Sequence, residues 1–496
     1  MKLILNAPVF EYDIRGLLMA FYPWQKFVTD EEAEDVQCLR VTYEGAYGLI
    51  RGMGNVPVVL KCTLELTDEK KAPDGERSPV HLERCLQLDF SDKKAAKSLL
   101  KRTLYAMLSE VNGHGLPWGT LTGIRPTKIP MDMLVKGRPE DEIRAHLATD
   151  LLVSDEKASL SIDIAKRELK LLQGIDAKDG WSLYVGIPFC PTTCLYCSFT
   201  SYPIHAYRDR VEDYLKAVFR ELDWIRENFA GKPLNAVYFG GGTPTSVSAD
   251  QLDRLLQKVE DSFDLSHCLE WTVEAGRPDS VTEEKLLAIR KHPVTRISVN
   301  PQTMHQETLD LIGRRHTVED VLRVYRTARR LGFDNINMDL ILGLPGETPE
   351  MVRETLEKVV SLDPDNVTVH SLAIKRAARL NLEKAFYGHY RMENTTEAMD
   401  LCREMLGTIG LSPYYLYRQK NMAGNLENVG YAKEGKEGVY NILIMEEIQS
   451  IAAAGAGATT KRVNGSLITR AENVKNVDQY IENVDEMIER KKELFQ

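Results

Sequence analysis

Eight residues, Cys190-Pro191-Thr192-Thr193-Cys194-Leu195-Tyr196-Cys197, carry three thiols at C-x3-C-x2-C spacing. Three thiols on one short loop can point at one centre. On a four-iron cluster, three thiolates leave one iron without a protein ligand, and that open iron can bind and activate a small molecule. Two other chemistries use the same residue types. Structural zinc takes four ligands, usually in paired C-x2-C units, and the fourth here would be His205 or a distant residue. Cys194 and Cys197 also form the C-x-x-C pair of a redox disulfide. Neither of these accounts for the third cysteine or for the strand ends described next. The remaining five cysteines, Cys38, Cys62, Cys85, Cys268 and Cys402, are scattered and read as buried thiols of a reducing cytoplasm.

The thiol loop follows a short apolar run, Tyr184 to Phe189, that reads as a strand. From Trp181 onward six such segments alternate with helical patterns: Leu183–Ile187, Ala236–Phe239, Trp271–Val273, Arg296–Val299, Ile336–Ile341 and Val367–His370. The intervening helices are expected at 207–229, 249–262, 281–291, 304–312 with 317–331, and 348–361. Strands alternating with helices imply a parallel sheet with right-handed crossovers. Six units suit an open or partial barrel better than a closed eightfold one. In such folds ligands bind where the carboxyl ends of the strands meet. The first strand ends in the three cysteines, the second in Gly240-Gly241-Gly242-Thr243-Pro244-Thr245, and the third in Glu274. The fourth ends in Asn300 and Gln302. The fifth carries Asp339 and then Gly343-Leu344-Pro345-Gly346, and the sixth ends in His370, Ser371 and Lys375. Consecutive glycines let a ligand approach the backbone closely, or make a tight turn. Glu274 suits ribose hydroxyls. Gln302 and Asp339 suit further polar groups of a ligand. Asp339 lies among Met338, Leu340 and Ile341, so its carboxylate needs a partner; Arg314 or Arg315 is either that partner or a binder of an anionic substrate.

The rest of the 496-residue chain frames this region. Residues 1–91 read as mostly β, starting with a strand at the first residues. Helical spacing marks 92–111, 133–149 and 154–173. The Gly- and Pro-rich stretch 114–126 is an ordered loop, either a structural connection or a cover over a site with Arg125 facing an anion. Residues beyond 376 carry helices at about 378–390, 395–409 and 474–494, and a small-residue run, Ala452 to Ala458. The expected organisation is an amino-terminal α+β accessory domain (1–175), a barrel (176–376) and a small, mostly helical carboxyl-terminal region (377–496). The net charge of -10 argues against a nucleic-acid partner. No apolar run reaches the length of a membrane span, and the start lacks a secretory h-region.

Tyr184-x-x-Ile187-Pro188-Phe189-Cys190-x3-Cys194-x-Tyr196-Cys197, then Gly240-Gly241-Gly242-Thr243-Pro244-Thr245, then Asp339-Leu340-Ile341-x-Gly343-Leu344-Pro345 resembles the radical S-adenosylmethionine enzymes of the oxygen-independent coproporphyrinogen III oxidase group (HemN, HemW and HemZ types). The amino-terminal region and Tyr417-Arg418-Gln419-Lys420-Asn421 are most similar to the HemZ-type branch. The resemblance implies a partial (β/α)6 barrel with a [4Fe-4S] cluster ligated by Cys190, Cys194 and Cys197. It implies S-adenosylmethionine sites at Tyr184, Tyr196, Gly241, Gly242, Thr243, Glu274, Gln302, Arg314, Asp339 and Ala373. The implied chemistry is reductive cleavage to a 5′-deoxyadenosyl radical, which converts propionates of coproporphyrinogen III to vinyl groups and gives protoporphyrinogen IX in heme biosynthesis. Implied partners are the tetrapyrrole and an electron donor such as flavodoxin or ferredoxin. The alternatives are a heme-binding, chaperone-like protein that retains the cluster and another radical reaction on a tetrapyrrole. A basic pocket near Arg125, Arg314, Lys375, Arg376 and Arg418 would fit tetrapyrrole carboxylates under any of these. The chain departs from the oxidase at Gly186, where that enzyme has His, and at Phe199, where it has a fourth Cys. It departs from the chaperone's His-Asn element at Tyr440-Asn441.

Overall fold

In the computed structural model the chain forms two units, Met1–Asp163 with Arg418–Leu426, and Ile164–Tyr417 with Glu427–Gln496. The structure describes residues 1–23, 25–29, 37–50, 54–71, 77–176, 179–373, 378–383, 387, 390, 392, 394–419 and 426–496. Lys375, Arg376, Lys420 and Asn421 lie outside them.

The first unit is built on a four-stranded sheet, β1 (Lys2–Leu5), β2 (Cys38–Glu44), β3 (Val59–Lys71) and β4 (Arg77–Asp89), in that order. β1 runs parallel to β2, and the others are antiparallel. Period-2 alternation buries Leu39, Val41 and Tyr43 on one face, and the helices Glu11–Phe21 and Lys93–Asn112 supply the rest of that core. The first of these helices stands in a stretch whose sequence reads as mostly β. The helical stretch at 133–149 is broken in two, Lys128–Val135 and Glu140–Ala145. Gly137 turns left-handed there at φ 70, and Pro139 cannot continue a helix. Within this unit the Gly- and Pro-rich loop is a packed connection. Thr120 N donates to Leu151 O at 2.8 Å, and a Cβ on Gly119 would stand 2.2 Å from that same oxygen. Arg418 donates through Nη1 to Leu121 O at 2.6 Å and lies over the Trp118 ring, so its guanidinium is engaged by the chain itself.

The second unit holds the barrel. Its strands are β5 (Trp181–Ile187), the short pair β6 (Phe189–Cys190) and β7 (Tyr202–Pro203), β8 (Leu234–Gly241), β9 (Glu270–Glu274), β10 (Arg296–Ser298), β11 (Ile336–Leu342), β12 (Asn366–Ser371), β13 (Ser412–Tyr417), β14 (Asn428–Ala432), β15 (Ser450–Ala454), β16 (Thr459–Asn464) and β17 (Leu467–Glu472). Eleven of them form one sheet in the order β13-β14-β12-β11-β10-β9-β8-β5-β15-β16-β17. The central six, β5 and β8–β12, are parallel and sequential, and helices follow between them. Ser248, Thr282, Thr317 and Thr348 each cap the following helix through a side-chain oxygen. The barrel is partial. β12 is continued by antiparallel β14 and β13, and β5 by parallel β15 and the β16–β17 hairpin. The region beyond residue 376 therefore adds five strands as well as helices such as Thr396–Gly407 and Val484–Phe495.

A buried carboxylate ties this tail to the barrel. Glu221 points inward from the helix Val211–Asn228 and is 0% exposed, so its charge must be satisfied by protein groups. Gly455 N donates to it at 2.7 Å and Asn473 Nδ2 at 2.9 Å, Tyr480 donates its hydroxyl, and Lys491 pairs with it. Among the described residues no helix is long and apolar enough to cross a membrane.

Candidate active site

Strands buried on both faces normally read as continuous apolar runs. Here one face of each barrel strand is apolar: Val237 and Phe239, Trp271 and Val273, Ile297, Met338 and Leu340, Val367 and Val369 are all buried beneath the helices. The alternate positions are polar: Tyr238, Glu270 and Glu274, Arg296 and Ser298, Asn337 and Asp339, Thr368 and His370. That period of two makes the barrel interior a polar chamber. The helix Val439–Glu446 closes its amino-terminal end. Val439 N donates to Glu270 Oε2 at 2.5 Å, and the Tyr440 ring stacks on Tyr238, which stacks on Tyr184.

At the carboxyl ends, β6 and the turn after it carry the thiols. Cys190 Sγ lies 3.3 Å from Thr243 Oγ1, and Cys197 N donates to Cys194 O at 3.2 Å. Burial pushes the Cys190 thiol up to about 12, with the Thr243 hydroxyl opposing. Burial also raises Cys197. Burial acts the same way on Cys194, but the Arg314 and Arg277 charges outweigh it and hold that thiol below its ordinary value. Half-buried Tyr196 places its hydroxyl beside Cys194. Among the described residues no three His, Cys, Asp or Glu side chains form a single-ion site.

The glycine run folds back on the thiol loop. Gly242 N donates to Ile187 O at 2.8 Å and Thr243 N to Phe189 O at 2.7 Å. A Cβ on Gly242 would stand 2.7 Å from Phe189 O, so backbone of the chain itself occupies that space. Gly241 is left-handed at φ 103, beside the Tyr184 hydroxyl. Tyr238 donates to Glu274 at 2.5 Å, and burial pushes the Glu274 carboxyl up to about 7.

Gln302 is left-handed at φ 67, a costly conformation for a residue with a side chain. It is buried, and its Oε1 has no hydrogen-bond partner. Asp339 takes its partners from its own neighbourhood. Asn337 Nδ2 donates to Oδ1 at 2.7 Å, and His370 Nε2 lies 3.9 Å from Oδ2. Burial pushes Asp339 up, but those two partners outweigh it and hold it below the usual carboxylate value. The sequence-based expectation that Arg314 or Arg315 pairs with Asp339 is thus corrected. Arg314 instead donates to the carbonyls of Asn300 and Gly276, while its buried Nε is unpartnered. The two backbone carbonyls take the Arg314 Nη groups, and Asn337 and His370 already serve the Asp339 carboxylate. Ala373 is half-buried, just past β12.

Three residues here escaped the sequence reading. Tyr238 was hidden because a Tyr inside an apolar run reads as core. Arg277 and Asp279 follow Glu274 by three and five residues and read as an ordinary charged loop. Their signal was position alone, just past a strand end. Of the basic residues considered together, Arg418 is engaged by the Leu121 carbonyl, and Arg314 gives Nη1 and Nη2 to backbone carbonyls.

The groups present fit the cofactors that the motifs imply. Three soft thiols share one loop, and at Cys194 two buried guanidinium groups favour thiolate, the form that ligates metal. An unpartnered acceptor on Gln302 and an unpartnered donor on Arg314 are both buried at the same strand ends. Such orphans call for a ligand.

Comparison with known proteins agrees. Residues 184–359 match the model of the radical SAM superfamily. The oxygen-independent coproporphyrinogen-III oxidase-like protein HemZ of Bacillus subtilis is 40% identical, with 88% of this chain and 90% of that protein covered. The heme chaperone HemW of the same organism is 32% identical over 61% of this chain and 75% of its own. The solved coproporphyrinogen III oxidase HemN of Escherichia coli, a radical SAM enzyme, has the same fold at a TM-score of 0.51 and 24% identity, covering 64% of this chain and 73% of that one. The cofactors of this fold are a [4Fe-4S] cluster and S-adenosylmethionine. The chain is a radical SAM enzyme and belongs to the oxygen-independent coproporphyrinogen-III oxidase-like family.

Proposed function

We propose that the protein carries out the oxygen-independent oxidation of coproporphyrinogen III, in the cytoplasm, with electrons from a flavodoxin- or ferredoxin-type donor. When bound, the cluster supplies the electron that splits S-adenosylmethionine into methionine and a 5′-deoxyadenosyl radical. The chain's residues hold and shield the parts. Cys190, Cys194 and Cys197 would ligate the cluster. Gln302, with its unpartnered Oε1, and Arg314, with its unpartnered Nε, would hold the amine and carboxylate of the cofactor. Glu274, fixed by Tyr238, accepts from ribose hydroxyls. Tyr184, Tyr196, Gly241, Thr243, Asp339 and Ala373 line the remainder, while Gly242 packs against the backbone of the thiol loop. The Tyr184–Tyr238–Tyr440 stack closes the chamber below, which keeps water from the radical. The net change at each propionate would be loss of one hydrogen atom, release of CO2 and transfer of one electron to an acceptor, leaving a vinyl group. Two rounds yield protoporphyrinogen IX.

What supports the cofactor half is the strained, buried Gln302 with its unpartnered oxygen among six polar strand ends. What supports the substrate is the 40% identity across nine-tenths of the HemZ relative. The test is an anaerobic assay of reconstituted protein with coproporphyrinogen III and a reductant. Vinyl product and CO2 together with 5′-deoxyadenosine are expected. Deoxyadenosine without vinyl product overturns the substrate. Stoichiometric heme uptake without turnover replaces the oxidase reading with the heme-carrier one.

A further inference from the structure

We propose that Arg277 is a positioning residue that clamps the thiol loop and sets the reduction potential of the cluster through Cys194. This rests on the reading that Cys190, Cys194 and Cys197 ligate that cluster.

Arg277 stands just past β9 and is 3% exposed. A buried guanidinium must place its five N–H groups on acceptors. Nη1 donates to Thr192 O at 3.1 Å and to Cys194 Sγ at 3.2 Å, and Nη2 donates to Thr192 Oγ1 at 2.9 Å. On its other edge Asp279 grips it twice, with Nε to Oδ1 at 2.9 Å and Nη2 to Oδ2 at 2.6 Å. The clamp continues past the loop: Thr192 Oγ1 donates to Gly313 O at 2.9 Å, and Leu195 N donates to Ile312 O at 2.9 Å. The loop's first half is therefore held between the turn after β9 and the segment 312–313.

This arrangement has an electronic consequence. Asp279 fixes the planar fork so that one N–H is aimed at a sulfur, a geometry that Lys, a single point charge, cannot reproduce together with the Thr192 contacts. Adding an electron to the cluster puts more negative charge on its sulfurs. A charge-assisted hydrogen bond to one of them strengthens on reduction and makes reduction easier. Among the described residues the hydrogen-bond partner at the Cys190 sulfur is the neutral Thr243 hydroxyl, so the charged hydrogen bond from Arg277 falls on Cys194, where the Arg314 charge adds to it. Asp279 works against it, since its carboxylate partly offsets the guanidinium charge.

The test is EPR-monitored redox titration of the reconstituted wild type, Arg277→Gln, Arg277→Lys and Asp279→Asn, with iron and sulfide per chain and thermal midpoints measured alongside. Arg277→Gln is expected to keep its iron and to become about tenfold harder to reduce, a fall of about 59 mV for one electron. Arg277→Lys should fall between it and wild type. Asp279→Asn should move the potential the other way, upward. Loss of iron from Arg277→Gln at an unchanged thermal midpoint supports the clamp, and Asp279→Asn then decides the electronic half. Full iron with unchanged potentials in both Arg277→Gln and Asp279→Asn overturns the proposal. A wild type that takes up no cluster overturns the reading beneath it instead.

Discussion

The amide of Gln302 donates to the carbonyl of Asp339 at 2.9 Å, and the amide of Ile341 donates back to the Gln302 carbonyl at 3.0 Å. The chain leaving β10 is thereby captured on β11, one step beyond the strand proper. Capture forces Gln302 to φ 67 and buries its side chain with Oε1 unsatisfied. The fold thus holds Gln302 in a strained conformation with one buried acceptor unsatisfied.

Replacing Gln302 with Gly tests both. Glycine adopts the left-handed conformation freely, so the cofactor-free protein should lose no stability and should gain up to about 1 kcal/mol in denaturant unfolding. S-adenosylmethionine affinity, measured anaerobically by equilibrium dialysis, should fall about tenfold, the worth of one buried hydrogen bond. Unchanged affinity would remove Gln302 from the site.

Glu274 gives a pH signature. Its native value of about 7 lies above the ordinary 4.5, so between these pH values the native state holds a proton that the unfolded chain has released. Stability from this group is complete below pH about 4.5 and is lost as pH rises to about 7. Glu274→Gln should flatten that slope and gain about 3 kcal/mol over wild type at pH 8, read from cofactor-free unfolding curves. Parallel curves for the two proteins would show Glu274 ionised throughout.

The glycine run separates packing from ligand approach. Gly242→Ala puts a methyl group 2.7 Å from Phe189 O and 2.9 Å from Ile187 O. It should destabilise even the cofactor-free protein by about 1–3 kcal/mol, because backbone cannot step aside. Gly123→Ala, at a site with open space around it, is the control and should be neutral. A neutral Gly242→Ala would return that position to the ligand.

Lys491→Met leaves Glu221 buried without its counter-charge. A cost of about 3–5 kcal/mol is expected in urea unfolding. Glu221→Gln in the same background should recover part of it, since the amide still accepts from Gly455 and Tyr480 without the charge. No recovery would mean that packing, not charge, is what Lys491 provides.

The six barrel strands and the thiol loop were legible because both are local: β-branched runs bounded by turns, and three cysteines within eight residues. The polar strand ends were legible because a parallel barrel fixes which end carries chemistry. Pairings across strands were not. Nothing near Asp339 in sequence says that His370 is its partner, and Asn337 two residues before it reads as an ordinary polar strand residue. Tail strand β15 escaped because Ser450–Ala454 has Ile451 as its one β-branched residue, followed by three alanines. Its small side chains suit burial beside β5, where Gly455 approaches Gly186 too closely for any Cβ. Glu221 left a readable trace: it falls on the buried stripe of its helix with Tyr214, Val218, Leu222 and Ile225, where a lone carboxylate signals a distant cation.

The central claim is that three thiols on one loop hold a cluster whose electron splits S-adenosylmethionine. The most direct measurement is 5′-deoxyadenosine formed by reconstituted protein under strong reductant, with iron counted in the same samples. The wild type is predicted to carry four irons of one cluster per chain and to form deoxyadenosine, while Cys190→Ala, Cys194→Ala and Cys197→Ala each lose both. A fully loaded wild type that forms none, or a Cys194→Ala protein that keeps its cluster and still forms it, would contradict the account.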